Sequence, residues 1–373
     1  MNHADLARQI LDVCLRVKRG DRIWIDSWDH TIDLASQIAS YAEKRGCEVL
    51  LTLKPEEYWL RLIRQGPEHL LERPTRQQIA ALQESDCYIF TLGPRRPIDW
   101  SSIPLRRRRL ATIWFLESNS FVKRWKSVAM ENGVKMLGIE ATLATEERAT
   151  AFGLDYQNYA DCMYSGCMAD YRKIAKMASK LSSFLSGNGK VTVKTPRGTD
   201  LSFRLDDRLV EVSDGILTRA RAEKGEVVHI PSGSIGVTVD EESGEGTVVY
   251  DNPILTRTAR IENLRFRVKS GRIVEYSASS GIEGFAEYFE NSKSRGQSDL
   301  VRFGYFGFGL NPNLRLGYTQ DDKVLGMLEV NFGSNERRGG KNKGSGDWWG
   351  TFGDATVVVD EQTIMTEGRF TIF

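Results

Sequence analysis

Histidine is scarce in this chain of 373 residues, and the C-terminal third contains none. The four histidines are His3, His30, His69 and His229. Residues 230–373 therefore contribute no imidazole. This excludes any mechanism that takes a histidine base or a histidine metal ligand from that part of the chain.

Cysteine, net charge and long apolar runs are also limited. Five cysteines are an odd number in a long chain, which favours unpaired thiols in a reducing compartment over a disulfide framework. The net charge of +1 gives no electrostatic reason to expect nucleic acid or an anionic membrane as a partner. No apolar run approaches the roughly 18 residues of a membrane helix, and Asp5, Arg8 and Asp12 interrupt the N-terminal stretch, unlike a signal peptide. The sequence predicts a cytoplasmic protein.

Strand-like and helix-like segments alternate in the first half of the chain. The apolar runs that predict strands are 21–26, 48–53, 87–92, 111–116 and 134–139. The segments with helical spacing of apolar residues are 31–45, 56–65, 119–132 and 155–186. This alternation is typical of an α/β domain with a parallel sheet covered on both faces.

From Lys190 onward the pattern changes to short alternating runs separated by glycine-rich turns. The predicted strands are 191–194, 201–205, 227–230, 246–250, 264–268, 272–276, 324–332 and 355–359. Only 281–295 has helical spacing. We therefore predict an α/β domain at 1–187 and a β-rich, mainly antiparallel domain at 188–373.

Several motifs, in a fixed order along the chain, carry a family resemblance. They are Val17-Lys18-Arg19-Gly20-Asp21, Asp170-Tyr171, Pro196-Arg197-Gly198-Thr199-Asp200, Ile230-Pro231-Ser232-Gly233, and the segments 244–251, 307–312 and 332–335. In this order and spacing the chain resembles the M29 metallopeptidases, of the aminopeptidase T/S type, over essentially its full length.

The resemblance implies an α/β N-terminal domain, a β-rich C-terminal domain with two metal ions, a homodimer, and removal of N-terminal amino acids from peptides. The family's metal ligands are two Glu, two His and one Asp, all in the second half of the chain. Paired divalent cations activate water and polarise the scissile carbonyl, which is why this chemistry needs such a ligand set.

Carried over one position at a time, the ligand set is missing from this sequence. The first family Glu matches Ser234, the second matches Tyr305, and the first His matches Glu329. The final His-x-Asp matches Trp348-Trp349-Gly350. We therefore predict that the scaffold is kept, the di-metal site is lost and no cofactor is bound. A related branch resembles an iron(II) dioxygenase of dihydroxypyridine, and the lack of C-terminal histidines argues against that activity too.

Three residues are the catalytic candidates in the cleft where the M29 family would hold its metal ions. Glu329 lies between apolar residues of a predicted strand. It either acts as a general acid or base or binds a substrate amine, or it pairs with a nearby Arg in a structural role. Tyr305 either donates a hydrogen bond to a ligand or fills the volume that the metal vacated. His229 is the one histidine that the resemblance places near this cleft, and its role is either functional or structural.

The segment 335–350 combines glycine, four cations and two tryptophans. It predicts either a mobile loop that clamps a carboxylate or phosphate beside an aromatic wall, or a flexible surface loop with a tryptophan pair anchored in the core. The substrate-binding candidates from this segment and its surroundings are Ser234, Arg337, Arg338, Asp347 and Trp348.

The sequence therefore favours an M29-like scaffold that, without a metal, binds or modifies a small peptide-like or amino-acid-derived molecule. Two alternatives stay open. One is a non-catalytic partner or scaffold subunit that uses the segment 337–343. The other is a hydrolase with an all-carboxylate site drawn from Glu329, Asp347, Glu283 or Asp354.

Overall fold

The chain forms two compact units, each assembled from two separate segments. The computed structural model describes residues 2–110, 120–255, 260–294, 298–344 and 346–373. Unit 1 consists of Met1–Arg172 and Gly215–Ser232, and unit 2 of Lys173–Asp214 and Gly233–Phe373.

The chain passes from one unit to the other three times, after residues 172, 214 and 232, whereas the sequence predicted one domain boundary at residue 187. The first crossing lies at residue 172 because residues 173–187 belong to unit 2. The other two arise because the strand at 227–230, predicted as part of the β-rich half, joins the parallel sheet of unit 1. A short apolar strand carries no signal for the sheet that it will enter.

Unit 1 is built on a five-stranded parallel sheet, as the sequence predicted. With strands numbered along the chain, its order is β2 (Glu48–Lys54), β1 (Arg22–Trp28), β3 (Cys87–Thr91), β4 (Lys135–Ile139) and β8 (Val227–Ile230). The register pairs Trp28 with Lys54 and Asp26 with Phe90, so the carboxyl ends of β1, β2 and β3 meet at one edge. The predicted strand 111–116 lies outside the described residues.

Ten α-helices of the described chain belong wholly to unit 1. They are α1 (His3–Arg8), α2 (Ile32–Lys44), α3 (Glu56–Gln65), α4 (His69–Glu72), α5 (Arg76–Gln83), α6 (Leu105–Leu110), α7 (Ser120–Asn132), α8 (Glu146–Phe152), α9 (Tyr156–Cys167) and α11 (Arg219–Ala222). None of the helices in the described ranges is long and apolar enough to cross a membrane.

The predicted helix 155–186 is in fact two helices, α9 and α10 (Tyr171–Leu185). The break lies at 168–170. There the Asp170 carboxylate accepts a hydrogen bond from the backbone N–H of Arg172 at 3.1 Å and so begins a new helix. Apolar spacing alone does not reveal such a break, because both helices keep the same periodicity.

Aromatic side chains pack on the central strands of unit 1, and leucines remain exposed at its edge. The rings of Trp24 and Tyr88 meet edge to face, with centroids 4.9 Å apart. On the edge strand β2, in contrast, Leu50, Leu51 and Leu53 are exposed. Full coverage of both faces, which the sequence predicted, therefore holds for β1 and β3 but not for β2.

Unit 2 consists mainly of two antiparallel sheets. The larger sheet has the order β14 (Arg272–Ser277), β13 (Leu264–Lys269), β10 (Glu245–Tyr250), β6 (Asp200–Arg204), β5 (Lys190–Lys194), β18 (Thr356–Val359), β19 (Gln362–Thr366) and β20 (Arg369–Phe370). The smaller sheet has the order β17 (Asp347–Phe352), β16 (Leu328–Gly333), β15 (Phe303–Gly309), β9 (Ser234–Thr238) and β7 (Glu211–Ser213). A short ribbon, β11 (Ile254–Leu255) with β12 (Arg260–Ile261), and helix α12 (Glu283–Ser294) complete the unit.

The larger and the smaller sheet of unit 2 pack together through phenylalanines and one tyrosine. Phe203 contacts Phe306 edge to face, with ring centroids 5.0 Å apart, and Phe266 contacts Phe332 at 5.4 Å. The buried Tyr250 hydroxyl donates to the Val330 carbonyl at 2.9 Å. These contacts bury one face of the smaller sheet against the larger sheet. The side chains that alternate with these apolar residues lie on the other face of the smaller sheet.

Candidate functional site

The smaller sheet of unit 2 is apolar on its packed face and polar on the opposite face. Side chains alternate between the faces of a strand, and the register aligns Gly236, Gly307 and Glu329 across three neighbouring strands. The polar face, as we call it below, comprises Glu211, Ser234, Thr238, Tyr305, Glu329, Asn331, Asp347, Trp349 and Thr351.

Two glycines at the centre of the polar face make room for the ring of Tyr305. A β-carbon at position 236 would overlap the Tyr305 hydroxyl, and one at position 307 would lie 3.1 Å from a ring carbon. The ring therefore lies across the neighbouring strands and is only 7% exposed. Burial raises the pKa of the Tyr305 phenol, which stays protonated at neutral pH.

Arg338 covers the outer side of the Tyr305 ring. Its guanidinium carbon lies 4.1 Å from the ring centroid, a cation–π geometry. Its Nε lies 3.3 Å from a carboxylate oxygen of Glu211. Another guanidinium nitrogen, Nη1, is buried and has no hydrogen-bond partner among the described residues. The N–H group of Arg338 Nη1 is therefore available to a ligand.

Glu329 lies on the polar face with a carboxyl group that titrates near neutrality. Burial, followed by the negative charge of Asp322, raises its pKa to about 7, against the opposing effects of Arg338 and of a hydrogen bond with Asn331. No Lys or Arg side chain in the described part of the chain forms an ion pair with Glu329. The carboxyl is therefore partly protonated at neutral pH.

Asn331 adds a free acceptor beside this carboxyl group. The residue is 4% exposed, and its Oδ1 atom has no hydrogen-bond partner within the described ranges. The polar face therefore offers an unused donor, an unused acceptor and a carboxyl group that can gain or lose a proton.

The loop that carries Arg338 is anchored by buried polar side chains. We call residues 335–343 the anchored loop. The Glu241 carboxylate, 3% exposed, accepts from the Asn335 amide at 2.9 Å and from the Lys341 backbone N–H at 2.7 Å. Arg208 binds the same carboxylate with two nitrogens, at 2.6 and 2.8 Å. The sequence predicted a mobile or flexible loop here, but buried hydrogen bonds fix this part of it.

The sequence model of the thermophilic metalloprotease (M29) family matches residues 2–295 of this chain, well over half of its length. The chain belongs to the M29 family. The matched range ends before β15, so the M29 match does not include the strands that carry Tyr305, Glu329 and Asp347.

Solved structures show that this M29 chain also has the fold that the resemblance implied. Wild-type AmpT from Thermus thermophilus is 15% identical with a TM-score of 0.65, over 100% of this chain and 99% of AmpT. The 2,5-dihydroxypyridine dioxygenase from Pseudomonas putida KT2440 is 14% identical with a TM-score of 0.60, over 99% of this chain and 96% of the dioxygenase. No curated protein matches the chain in sequence. The predicted family and fold class are thus confirmed.

The positions that the sequence resemblance aligned with the M29 metal ligands, most of which lie beyond residue 295, do not fit a pair of metal ions here. They offer a serine hydroxyl at 234, a protonated phenol at 305 and one carboxyl at 329 whose pKa is about 7. The Arg338 guanidinium adds a positive charge directly over the Tyr305 ring. Across the described ranges, no three His, Cys, Asp or Glu side chains form a group that could hold a metal ion, and this includes the alternative all-carboxylate set.

Five of the eight predicted site residues of the M29 chain lie together on or over the polar face, and three, Arg337, Trp348 and His229, do not belong to it. Ser234, Tyr305, Glu329 and Asp347 share the polar face, and Arg338 lies over it, while Arg337 is exposed on the anchored loop. Trp348, predicted to bind substrate, points to the opposite face, where its ring meets that of Phe285 at 4.9 Å. Strand alternation places Trp349 on the polar face instead.

His229, predicted as a catalytic candidate, lies in unit 1 rather than among the strands of the polar face. It is part of β8, where its ring meets that of Phe90 edge to face at 5.8 Å. The Ser232 hydroxyl donates to its backbone carbonyl at 2.6 Å. These contacts are those of a residue packed within the parallel sheet.

Sequence reasoning missed three residues that shape the site. Asn331 and Trp349 follow from strand alternation, because each lies two residues from, or directly opposite, a position on the polar face. Glu211 gave no such signal. It reaches Arg338 only through the pairing of β7 with β9, which is distant in sequence.

Proposed function

We propose that the polar face of unit 2 binds a small amino-acid-derived or peptide-like molecule without a metal ion. The observation that carries this proposal is the presence, on one sheet face, of an unused guanidinium donor and a carboxyl group that titrates near pH 7. Arg338 Nη1 suits a ligand carboxylate. Glu329 and the free Asn331 oxygen suit a ligand amine.

The pKa of Glu329 also supports chemical modification of the bound molecule. A general acid or base works best when its pKa lies near the operating pH, and a value of about 7 meets that condition. In this proposal the Glu329 carboxylate accepts the proton that the ligand amine loses as it reacts and later donates it to the product, Arg338 fixes the carboxylate end, and Tyr305 forms the floor of the site.

Replacing Arg338 with glutamine tests the binding proposal against a matched neighbour. Wild-type protein is titrated calorimetrically with a panel of free L-amino acids and dipeptides. We expect Arg338→Gln to weaken binding of the best probe by about 10- to 100-fold, because a charge-assisted hydrogen bond contributes roughly 1.5–3 kcal/mol. Arg337→Gln, which changes the adjacent exposed arginine, leaves the affinity within about twofold.

Two results would count against the proposal. One is that no probe of the panel binds wild-type protein at millimolar concentration. The other is an equal loss of affinity in the two variants, which would assign the effect to the net charge of the anchored loop rather than to the Arg338 donor.

Assembly as a homodimer and a cytoplasmic location remain predictions. Membership of the M29 family supports the first, as do the exposed leucines of edge strand β2, because an uncovered apolar edge favours pairing with another chain. A monomeric mass in sedimentation equilibrium would contradict the homodimer.

A further inference from the structure

Unit 1 contains a cavity of about 250 Å³ at the carboxyl edge of its parallel sheet. Trp28, Lys54 and Thr91, the last residues of β1, β2 and β3, lie in its wall. The sheet order is β2-β1-β3-β4, so the chain runs from β1 to β2 in one direction along the sheet and from β3 to β4 in the opposite direction. Open α/β sheets bind ligands at the carboxyl ends of strands where the strand order reverses in this way.

Seven of the eighteen residues in the wall of this cavity are aromatic. The rings occur in contacting pairs: Trp28 with Trp59 at 5.2 Å, Tyr88 with Phe90 at 5.3 Å, and Phe121 with Trp125 at 5.7 Å. The cavity opens to solvent, since Tyr58 and Leu70 of its wall are exposed. A concave site with aromatic side chains and a few polar groups is typical of small-molecule binding.

The two charged side chains of the wall differ in what they can still bind. The Asp26 carboxylate, 14% exposed, already accepts from Lys54 at 2.9 Å, from Thr52 at 2.9 Å and from Tyr88 at 3.1 Å. Lys54 uses one of its three N–H donors in this contact, and its ammonium lies 5.3 Å from the centroid of the Trp28 ring. The acceptor capacity of Asp26 is thus largely taken, whereas Lys54 retains donors.

Trp125 supplies a second, independent sign of a ligand. The residue is 4% exposed, and its indole nitrogen is buried with no hydrogen-bond partner in the described part of the chain. A buried donor without a partner costs free energy, and native proteins contain few of them. An acceptor atom from a bound molecule would satisfy this N–H.

We propose that the unit 1 cavity binds a small planar aromatic molecule of one or two rings that carries a carboxylate. The ring system stacks among the aromatic side chains, and the carboxylate accepts from the Trp125 indole and the Lys54 ammonium. The volume suits such a ligand, since an apolar cavity of roughly 150 Å³ holds benzene. This site shares no residue with the polar face of unit 2.

Four probes test the proposal on wild-type protein by calorimetry and ligand-detected NMR. They are indole-3-carboxylate, indole, benzoate and cyclohexanecarboxylate. We expect saturable binding of indole-3-carboxylate at one site per chain, at least tenfold tighter than indole, and tighter binding of benzoate than of its saturated analogue. Absence of indole-3-carboxylate binding at millimolar concentration, or equal binding of benzoate and cyclohexanecarboxylate, would overturn the proposal.

Two variants locate the site. Lys54→Met keeps the side-chain length and removes the charge, and we expect it to abolish the preference for indole-3-carboxylate over indole. Trp125→Phe keeps an aromatic ring and removes the N–H, with an expected three- to tenfold loss of affinity for indole-3-carboxylate. Lys44→Met, at an exposed position of α2, is the control and leaves the affinity unchanged. Binding that neither Lys54→Met nor Trp125→Phe alters would place the probe elsewhere and overturn the proposal.

Discussion

Replacing Glu329 with glutamine is expected to stabilise the protein at pH 8 and to change its stability little at pH 4.5. The folded carboxyl has a pKa of about 7, compared with 4.5 for an unperturbed glutamate. Between these values the folded state holds the proton more tightly than the unfolded state, so the free energy of unfolding falls as the pH rises. Glutamine removes this loss, which amounts to up to about 3 kcal/mol above pH 7.

Chemical denaturation of wild-type protein and the variant at both pH values measures this effect. Glu336→Gln, at an exposed position beside the polar face, is the control and is expected to change stability by less than about 0.5 kcal/mol at either pH. Glu329→Gln is also expected to abolish binding of the amine-bearing amino-acid and dipeptide probes. A large loss of stability at pH 8 with unchanged ligand affinity would instead show that Glu329 is an essential ion-pair partner, and would remove it from the site.

Loss of the Glu241 carboxylate is expected to give the largest decrease in stability. Glu241→Gln keeps the shape but removes one of the two carboxylates that pair with Arg208, which is 8% exposed, and leaves Asp206 as its counter-ion. Removing one member of a buried ion pair destabilises proteins by about 3–5 kcal/mol, and the remaining pair with Asp206 places this variant near the lower end of that range. Glu241 also holds the anchored loop, so binding of amino-acid probes through Arg338 is expected to weaken as well.

The neighbouring glutamate provides the control for this variant. Glu242 is 74% exposed and lies 3.6 Å from Arg302 in a surface ion pair, so Glu242→Gln is expected to cost less than about 1 kcal/mol. Urea denaturation of both variants at pH 7 compares them. Equal effects would contradict the anchoring role of Glu241.

Much of the fold followed from periodicity, and the exceptions have local or long-range causes. Helix α3 has the bounds that apolar spacing predicted, and the strands of the parallel sheet in the described ranges lie within two residues of their predicted positions. At the break between α9 and α10 the Asp170 carboxylate accepts from the Arg172 N–H at the start of α10, a local contact that apolar spacing does not reveal. Strand β8 was placed in the wrong half because pairing with β4 involves residues far apart in sequence.

The candidate site was predictable where strand alternation applied and not where distant residues meet. Glu329 and Tyr305 occupy one face, as their matched positions implied, whereas adjacent Trp348 and Trp349 were confused because a shift of one residue reverses the face. The role of Glu241 was missed. Its partner Asn335 lies 94 residues away, and no local pattern joins the two.

The most direct test of a metal-free polar face is the metal content of the reconstituted protein. Purified chain is treated with a chelator, incubated separately with Zn²⁺, Co²⁺ and Mn²⁺, desalted and analysed by inductively coupled plasma mass spectrometry. Hydrolysis of leucyl-p-nitroanilide is measured on the same samples. We expect no stoichiometric metal and no metal-dependent cleavage, because the five matched positions supply one titratable carboxyl, a hydroxyl, a protonated phenol, a tryptophan and a glycine. Two tightly held ions per chain, with cleavage that depends on them, would contradict this expectation.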